Sequence, residues 1–351
     1  MKAATKRNLN IAFILGTLVL ILVIGIKNNE LTNIGKALAN LSPWWLLACP
    51  VGWLGNLAFE SLSLQYFLLK QGYRITFMYA VFVSIMGLYY SNITPGASGG
   101  QPMQVYYLKK REVPIGVSTS ILTVKYFCFQ FMLLAMGGLV WLLQPNFVSD
   151  QLWGAKVFLV AGYLFNSLTV SLVLFMVINK RIVRFLMGLV VKLLALLHII
   201  KDPIQTMAKW EGILTTFHSS VMLIRKHPKE LLVQLVLNGL QILSFMLVTV
   251  CVYRALHLTG TPIFQVVTMS ILLYISASYT PLPGASGAQE GGFMIFLKNI
   301  FPADKIFPAL LLWRFSTFYL SLVVGAGTTV IRTTRGIVKT QEKAPEEQKQ
   351  N

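Results

Sequence analysis

Acidic side chains are scarce in this chain. Twelve Asp and Glu stand against 30 Lys and Arg, and charged residues make up 12% of the whole. A soluble domain carries about 25% charged residues, so the deficit excludes an ordinary water-soluble globule. Cysteine is rarer still. Cys49, Cys128 and Cys251 lie inside apolar stretches with no Cys-x-x-Cys spacing, which reads as buried packing and implies no disulfide framework. His198, His218, His227 and His257 lack metal-ligand spacing, and neither metal nor other cofactor is expected. No Gly-x-x-x-x-Gly-Lys-Ser/Thr run occurs, so ATP is not expected to drive work done by this chain.

What is abundant is apolar surface: 55% of the 351 residues are hydrophobic and the mean hydropathy is +0.66. Several runs approach the roughly 18–20 residues that cross a bilayer. Leu9–Ile26, preceded by Lys2, Lys6 and Arg7, opens like a signal peptide, but no small-residue cleavage site follows, so it reads as a retained first span. A net charge of +18 would suggest nucleic acid in a soluble protein. Here the cations sit in the breaks between apolar runs, so they read as topology and attraction to anionic membrane lipids, with no nucleic-acid partner.

The chain therefore reads as an all-α, polytopic membrane protein with seven or eight spans. Further spans are expected near Pro43–Leu69, Thr76–Ile93, Ile115–Leu143, Ala155–Ile178, Leu231–Tyr253, Pro262–Thr280 and Ala309–Ile331. Gln144–Gly154 holds Asp150 and no basic residue, as an external loop should. Residues 180–229 interleave Lys and Arg with Leu and Val pairs, the pattern of an amphipathic cytoplasmic segment, or of a short tucked-in span. Residues 1–335 form one transmembrane domain, and the polar stretch 336–351 reads as a disordered cytoplasmic tail. The basic turns place both termini in the cytoplasm and the protein in the cell membrane.

One phrase is written twice: TPGASGGQ at Thr94–Gln101 and LPGASGAQ at Leu282–Gln289. Each copy closes an apolar segment and opens a short, small-residue-rich piece, so re-entrant half-helices are expected near 94–108 and 282–298. By the positive-inside rule the first segment travels outward and the second inward, which predicts an inverted-topology repeat.

Broken helices at membrane depth are tolerated where protein buries them or a water-filled cavity meets them. Pro95 and Pro283 stop the preceding helix. Gly96, Gly99, Gly284 and Gly287 allow unusual dihedrals and close approach. Ser98 and Ser286 are expected to cap the following half-helices, whose free amides would face an anion. Gln101 and Gln289 add neutral donors and acceptors. Charges within spans complete the candidate substrate site. Lys125 follows Ser98, and Arg314 follows Ser286, at nearly the same interval, while Glu290 directly follows the second motif. Glu60 is a further buried charge. Buried ionisable groups in spans are usually functional or paired, so Glu290–Arg314 and Glu60–Lys125 ion pairs are the structural alternative. No catalytic residue is identified.

SNITPGASGGQPMQ with a downstream Lys, and PLPGASGAQEGGF with a downstream WRF, resemble the flippase-like membrane region of the lysylphosphatidylglycerol synthase family over about Leu9–Arg335. The resemblance implies movement of phospholipid, or aminoacylated phospholipid, between leaflets. In the multiple peptide resistance factor of that family, this region is joined to a soluble aminoacyltransferase domain that makes lysylphosphatidylglycerol. No such domain is expected here, so a phosphatidylglycerol lysyltransferase is the alternative, as is a membrane accessory subunit of envelope synthesis. A homo-oligomer or a partner synthase would be compatible with each.

Overall fold

The computed structural model describes residues 40–151, 155–196 and 202–332, together with Gly35. The expected first span at Leu9–Ile26 and the tail 336–351 lie outside the described residues. No strand forms among those described; twelve helices do. They are α1 (Pro43–Lys70), α2 (Phe77–Ile93), α3 (Gly100–Lys109), α4 (Ile115–Leu143), α5 (Pro145–Gln151), α6 (Lys156–Ile178), α7 (Lys180–Leu196), α8 (Pro203–Arg225), α9 (Pro228–Ala255), α10 (Ile263–Ala277), α11 (Ala288–Phe296) and α12 (Ile306–Arg332).

Four of these, α4, α6, α9 and α12, are long and apolar enough to cross a membrane. α1 is 28 residues long but carries Pro50 and Glu60, which dilute its hydropathy. α2 and α10 are apolar but have 17 and 15 residues. At 1.5 Å per residue they reach about 25 and 22 Å, short of the roughly 30 Å hydrocarbon core. The stretch after α4 read as an external loop instead forms the short helix α5. Among the described residues the basic segment 180–229 holds the two helices α7 and α8 and the start of α9, and α7 shows Phe185, Leu189 and Leu193 exposed beside Arg181 and Arg184.

The helix ends sort onto two faces. At one, the Ser42 amide before α1 donates to Ala255 O at the end of α9 (2.9 Å), and Lys305 Nζ before α12 reaches Leu256 O (3.1 Å). Thr261 N, just before α10, donates to Tyr253 Oη at 2.7 Å. This is the Lys305 face. At the other, Lys70 closing α1 pairs with Glu230 opening α9 (3.2 Å), and Arg332 closing α12 lies over Phe82, near the start of α2. This is the Arg332 face. Hence α10 begins at the Lys305 face and α2 at the Arg332 face. The two short helices run in opposite senses.

They meet at their ends. The Gly96 amide donates to Pro281 O at 2.9 Å, joining the loop after α2 to the loop after α10. Half-helices α3 and α11 then turn back; Gly292 of α11 packs on Leu273 of α10, and Gly87 of α2 packs on Gln104 of α3. The core divides accordingly. One buried cluster gathers α9, α10, α11 and the start of α12, and the second gathers the end of α1 with α2, α8 and the start of α4.

Between apolar helices in lipid, close packing and interhelical hydrogen bonds replace the hydrophobic drive. Gly52 lets α1 approach the α9 backbone so closely that a Cβ would stand 3.0 Å from Ser244 O. Trp53 Nε1 donates to Ser321 Oγ (2.7 Å), tying α1 to α12. Asn166 of α6 donates to Ser278 Oγ (2.7 Å) and Ile275 O (3.2 Å) at the end of α10, and accepts from Gln130 Nε2 (2.7 Å). All three cysteines are free and buried, as their apolar settings predict.

Candidate functional site

Both Pro-Gly-Ala turns adopt the same backbone. Gly96 has φ 58° and ψ 28°, and Gly284 has φ 59° and ψ 20°. The following alanines, Ala97 and Ala285, are also left-handed, with φ 54° and 49°. A left-handed alanine costs about 1–2 kcal/mol, so each turn stores strain that its surroundings hold in place. The copies diverge at the serine. Ser98 is helical (φ −66°, ψ −20°), whereas Ser286 is extended (φ −60°, ψ 143°).

That divergence corrects the expected capping. Ser286 Oγ donates back to Pro283 O (2.9 Å), and neither serine accepts from a half-helix amide. In the first copy the cap is Thr94, whose Oγ1 accepts from Gly99 N (2.8 Å) while donating to Tyr90 O (2.6 Å). In the second it is Glu290, whose Oε2 accepts from Gly287 N at 2.6 Å. A serine just inside the turn is too close to the bend to reach the next helix's amides; a residue before the proline, or one turn into the helix, reaches them.

Arg314 converges on the second copy. Its Nε donates to Glu290 Oε1 at 2.6 Å, and its NH2 to Gly284 O (3.2 Å) and Ser286 Oγ (3.4 Å). The guanidinium also lies 4.8 Å from the Phe318 ring centre. The Arg314 side chain is 5% exposed and that of Glu290 13%. Directly after Arg314, α12 widens into a π-turn over Phe315–Tyr319, a distortion frequent at functional sites. Glu290 thus holds the position an anion would take: one oxygen on a buried guanidinium, the other on the amide that opens α11.

Pro283, Ser286 and Gln289 are buried beside this pair, and Gly287 is exposed. Gln289 Oε1 has no hydrogen-bond partner among the described residues. The side chain lines a cavity of ≈ 10 Å³ with Thr249, Ser270, Tyr274 and Trp313, room for about one water. In the first copy Pro95, Gly96, Ser98 and Gln101 are exposed, and Gly99 is half-buried.

Lys125 is not brought to the first motif. It forms an ion pair with Glu60 Oε1, donates to Glu60 O (3.2 Å), and is buried between α4 and α1. Gln241 Nε2 of α9 holds the second Glu60 oxygen at 3.1 Å. Both ion pairs left as the structural alternative are therefore formed, and the equal spacing of Lys125 and Arg314 does not give equal surroundings. Thr94, Gln241 and Phe318 were not singled out in the sequence. Thr94 alone carried a signal, as a hydroxyl immediately before the helix-stopping Pro95.

An all-helical bundle with two broken helices meeting end to end, and charge pairs buried between spans, defines a polytopic membrane protein. The chain belongs to the family described as lysylphosphatidylglycerol synthase TM region, whose model matches residues 9–325. It is also similar to a UPF0104 membrane protein of Archaeoglobus fulgidus, with 27% identity over 267 residues covering 73% of this chain and 76% of that protein.

Proposed function

We propose that the protein is a lipid transporter moving phospholipid, or aminoacylated phospholipid of the lysylphosphatidylglycerol type, between the leaflets of the cell membrane. The observation carrying this reading is the Arg314–Glu290–Gly287 arrangement beside two Pro-Gly-Ala turns in contact. A lipid phosphate displaces the Glu290 carboxylate from Arg314 and from the α11 amide, since it offers more acceptor oxygens to the same donors. The released Glu290 is then free to pair with the ammonium of an aminoacylated headgroup. Opposed short helices support alternating access, in which the two inverted units rock about the junction of the turns.

The Arg332 face carries Lys70, Arg74 and Lys109–Arg111, so the positive-inside rule assigns it to the cytoplasm, with both termini there. Leaflet-resolved translocation of a fluorescent phospholipid in proteoliposomes tests the transport reading. Arg314→Ala is expected to lower the initial rate at least tenfold for any phospholipid, and Glu290→Gln to do so for an aminoacylated one, whose ammonium loses its partner. Wild-type rates in both variants would remove the site from the mechanism.

A further inference from the structure

Four cations gather at the Arg332 face, without a carboxylate partner among the described residues. Lys109, Lys110 and Arg111 stand at the end of α3, and Arg332 stands at the end of α12. None of the four forms an ion pair among the described residues, although Glu112 is the next residue in the chain. All four are exposed.

Aromatic rings fix their positions. The Arg332 guanidinium carbon lies 3.6 Å from the centre of Phe82 and 5.9 Å from that of Tyr79. Arg111 lies 4.6 Å from the same Tyr79 ring, so two guanidiniums share one aromatic. Lys110 Nζ is 4.6 Å from Tyr106 and 5.6 Å from Tyr107. The platform is itself tied down: Tyr79 Oη donates to Tyr107 O at 2.7 Å, and Phe82 meets Tyr107 edge-on at 4.8 Å.

Two guanidiniums against one ring repel each other, and among the described residues no hydrogen bond occupies their N–H edges. Those edges form planar forks that match phosphate oxygens in pairs. Tyr106, half-exposed beside them, is the kind of residue that sits at headgroup depth. We propose that Arg111, Arg332 and Lys110 form a phosphate-oxyanion site at this face, suited to the phosphodiester of an anionic lipid headgroup. It is separate from the Arg314 site, where Glu290 already supplies the negative charge, and it does not depend on transport.

Native mass spectrometry of the purified full chain tests it, in mixed micelles with equal phosphatidylglycerol and phosphatidylcholine. The wild type is expected to retain phosphatidylglycerol in about tenfold excess, and Arg111→Gln/Arg332→Gln to bring the ratio near unity. Arg184→Gln, which alters an exposed arginine already paired with Glu211, should keep the wild-type ratio. Arg111→Gln alone serves where the double variant unfolds, as judged by its thermal transition. Inorganic phosphate titrated against the protein in phosphatidylcholine identifies the source. Stabilisation by phosphate without lipid preference assigns the site to a free anion, whereas lipid preference that phosphate competes away assigns it to a headgroup. If wild type and variants retain the two lipids alike and respond alike to phosphate, the site does not exist.

Discussion

The Gly96 amide donates to the Pro281 carbonyl at 2.9 Å. The first copy of the phrase is therefore bonded, through backbone, to the residue immediately before the second copy, independent of the side chains that vary between the copies. The bond joins the end of a helix that starts at the Arg332 face to the end of one that starts at the Lys305 face. A substitution on either side of this junction is felt according to what surrounds it, and the surroundings differ.

Gly284→Ala is expected to be the more damaging of two matched substitutions. Gly96 and Gly284 share a left-handed backbone, so alanine at either costs about 1 kcal/mol in dihedral strain. A Cβ on Gly96 meets nothing within 4 Å, but one on Gly284 overlaps the Phe318 ring. Overpacking of that kind adds about 1–3 kcal/mol. Thermal unfolding in nanodiscs should show a small loss for Gly96→Ala and a clearly larger one for Gly284→Ala. Phe318→Leu in the same chain should recover part of the second loss. Equal losses would mean that the Phe318 ring yields freely.

Thr94→Val removes the cap of α3 while keeping its shape. Gly99 N loses its acceptor and Tyr90 O its donor, a loss of about 1 kcal/mol for a capping side chain. Hydrogen exchange at the start of α3 is expected to speed up while exchange in α11 is unchanged, because α11 is capped by Glu290. Ser98→Ala, by contrast, should leave both helix starts unaffected. Faster exchange in Ser98→Ala would restore the serine as the cap.

The fold was legible where local patterns decide it. Pro95 closely follows the end of α2, as a helix stop should, whereas α10 already ends at Ala277, ahead of Pro283. The apolar runs fix α1, α2, α4, α6, α9, α10 and α12 to within a few residues, while α5 falls where the sequence reads as loop. The opposed direction of the two halves could be followed through the basic turns at Lys70–Arg74 and Lys109–Arg111, and the contacts of Arg332 and Lys305 agree with it. What could not be read was choice among equally spaced partners. Lys125 and Arg314 stand alike after their motifs, yet Lys125 meets Glu60 and Arg314 meets Glu290. The divergence follows from one position: Glu290 stands where the first copy has Pro102. Pro102 offers no carboxylate, so the first half draws its anion from α1. Caps were misread for a related reason, since Ser286 satisfies its own turn before it can serve the next helix.

The two ion pairs are expected to respond differently to joint replacement, and this separates structure from site. Removing one member of a buried pair strands a charge and costs about 3–5 kcal/mol, whereas replacing both with apolar groups is often neutral. Glu60→Gln/Lys125→Met should therefore recover most of the stability lost in Lys125→Met alone, with Gln241 still able to bond the new amide. Because Lys125 touches neither turn, that double variant should also keep most of the translocation rate. Glu290→Gln/Arg314→Met should likewise recover stability relative to Arg314→Met, but the rate should stay low, since the guanidinium that a phosphate needs is gone. Unfolding curves and translocation rates on the same four preparations decide the matter. A Glu60→Gln/Lys125→Met double that is stable but inactive would place Lys125 in the substrate path, and an active Glu290→Gln/Arg314→Met double would reduce the second pair to a strut.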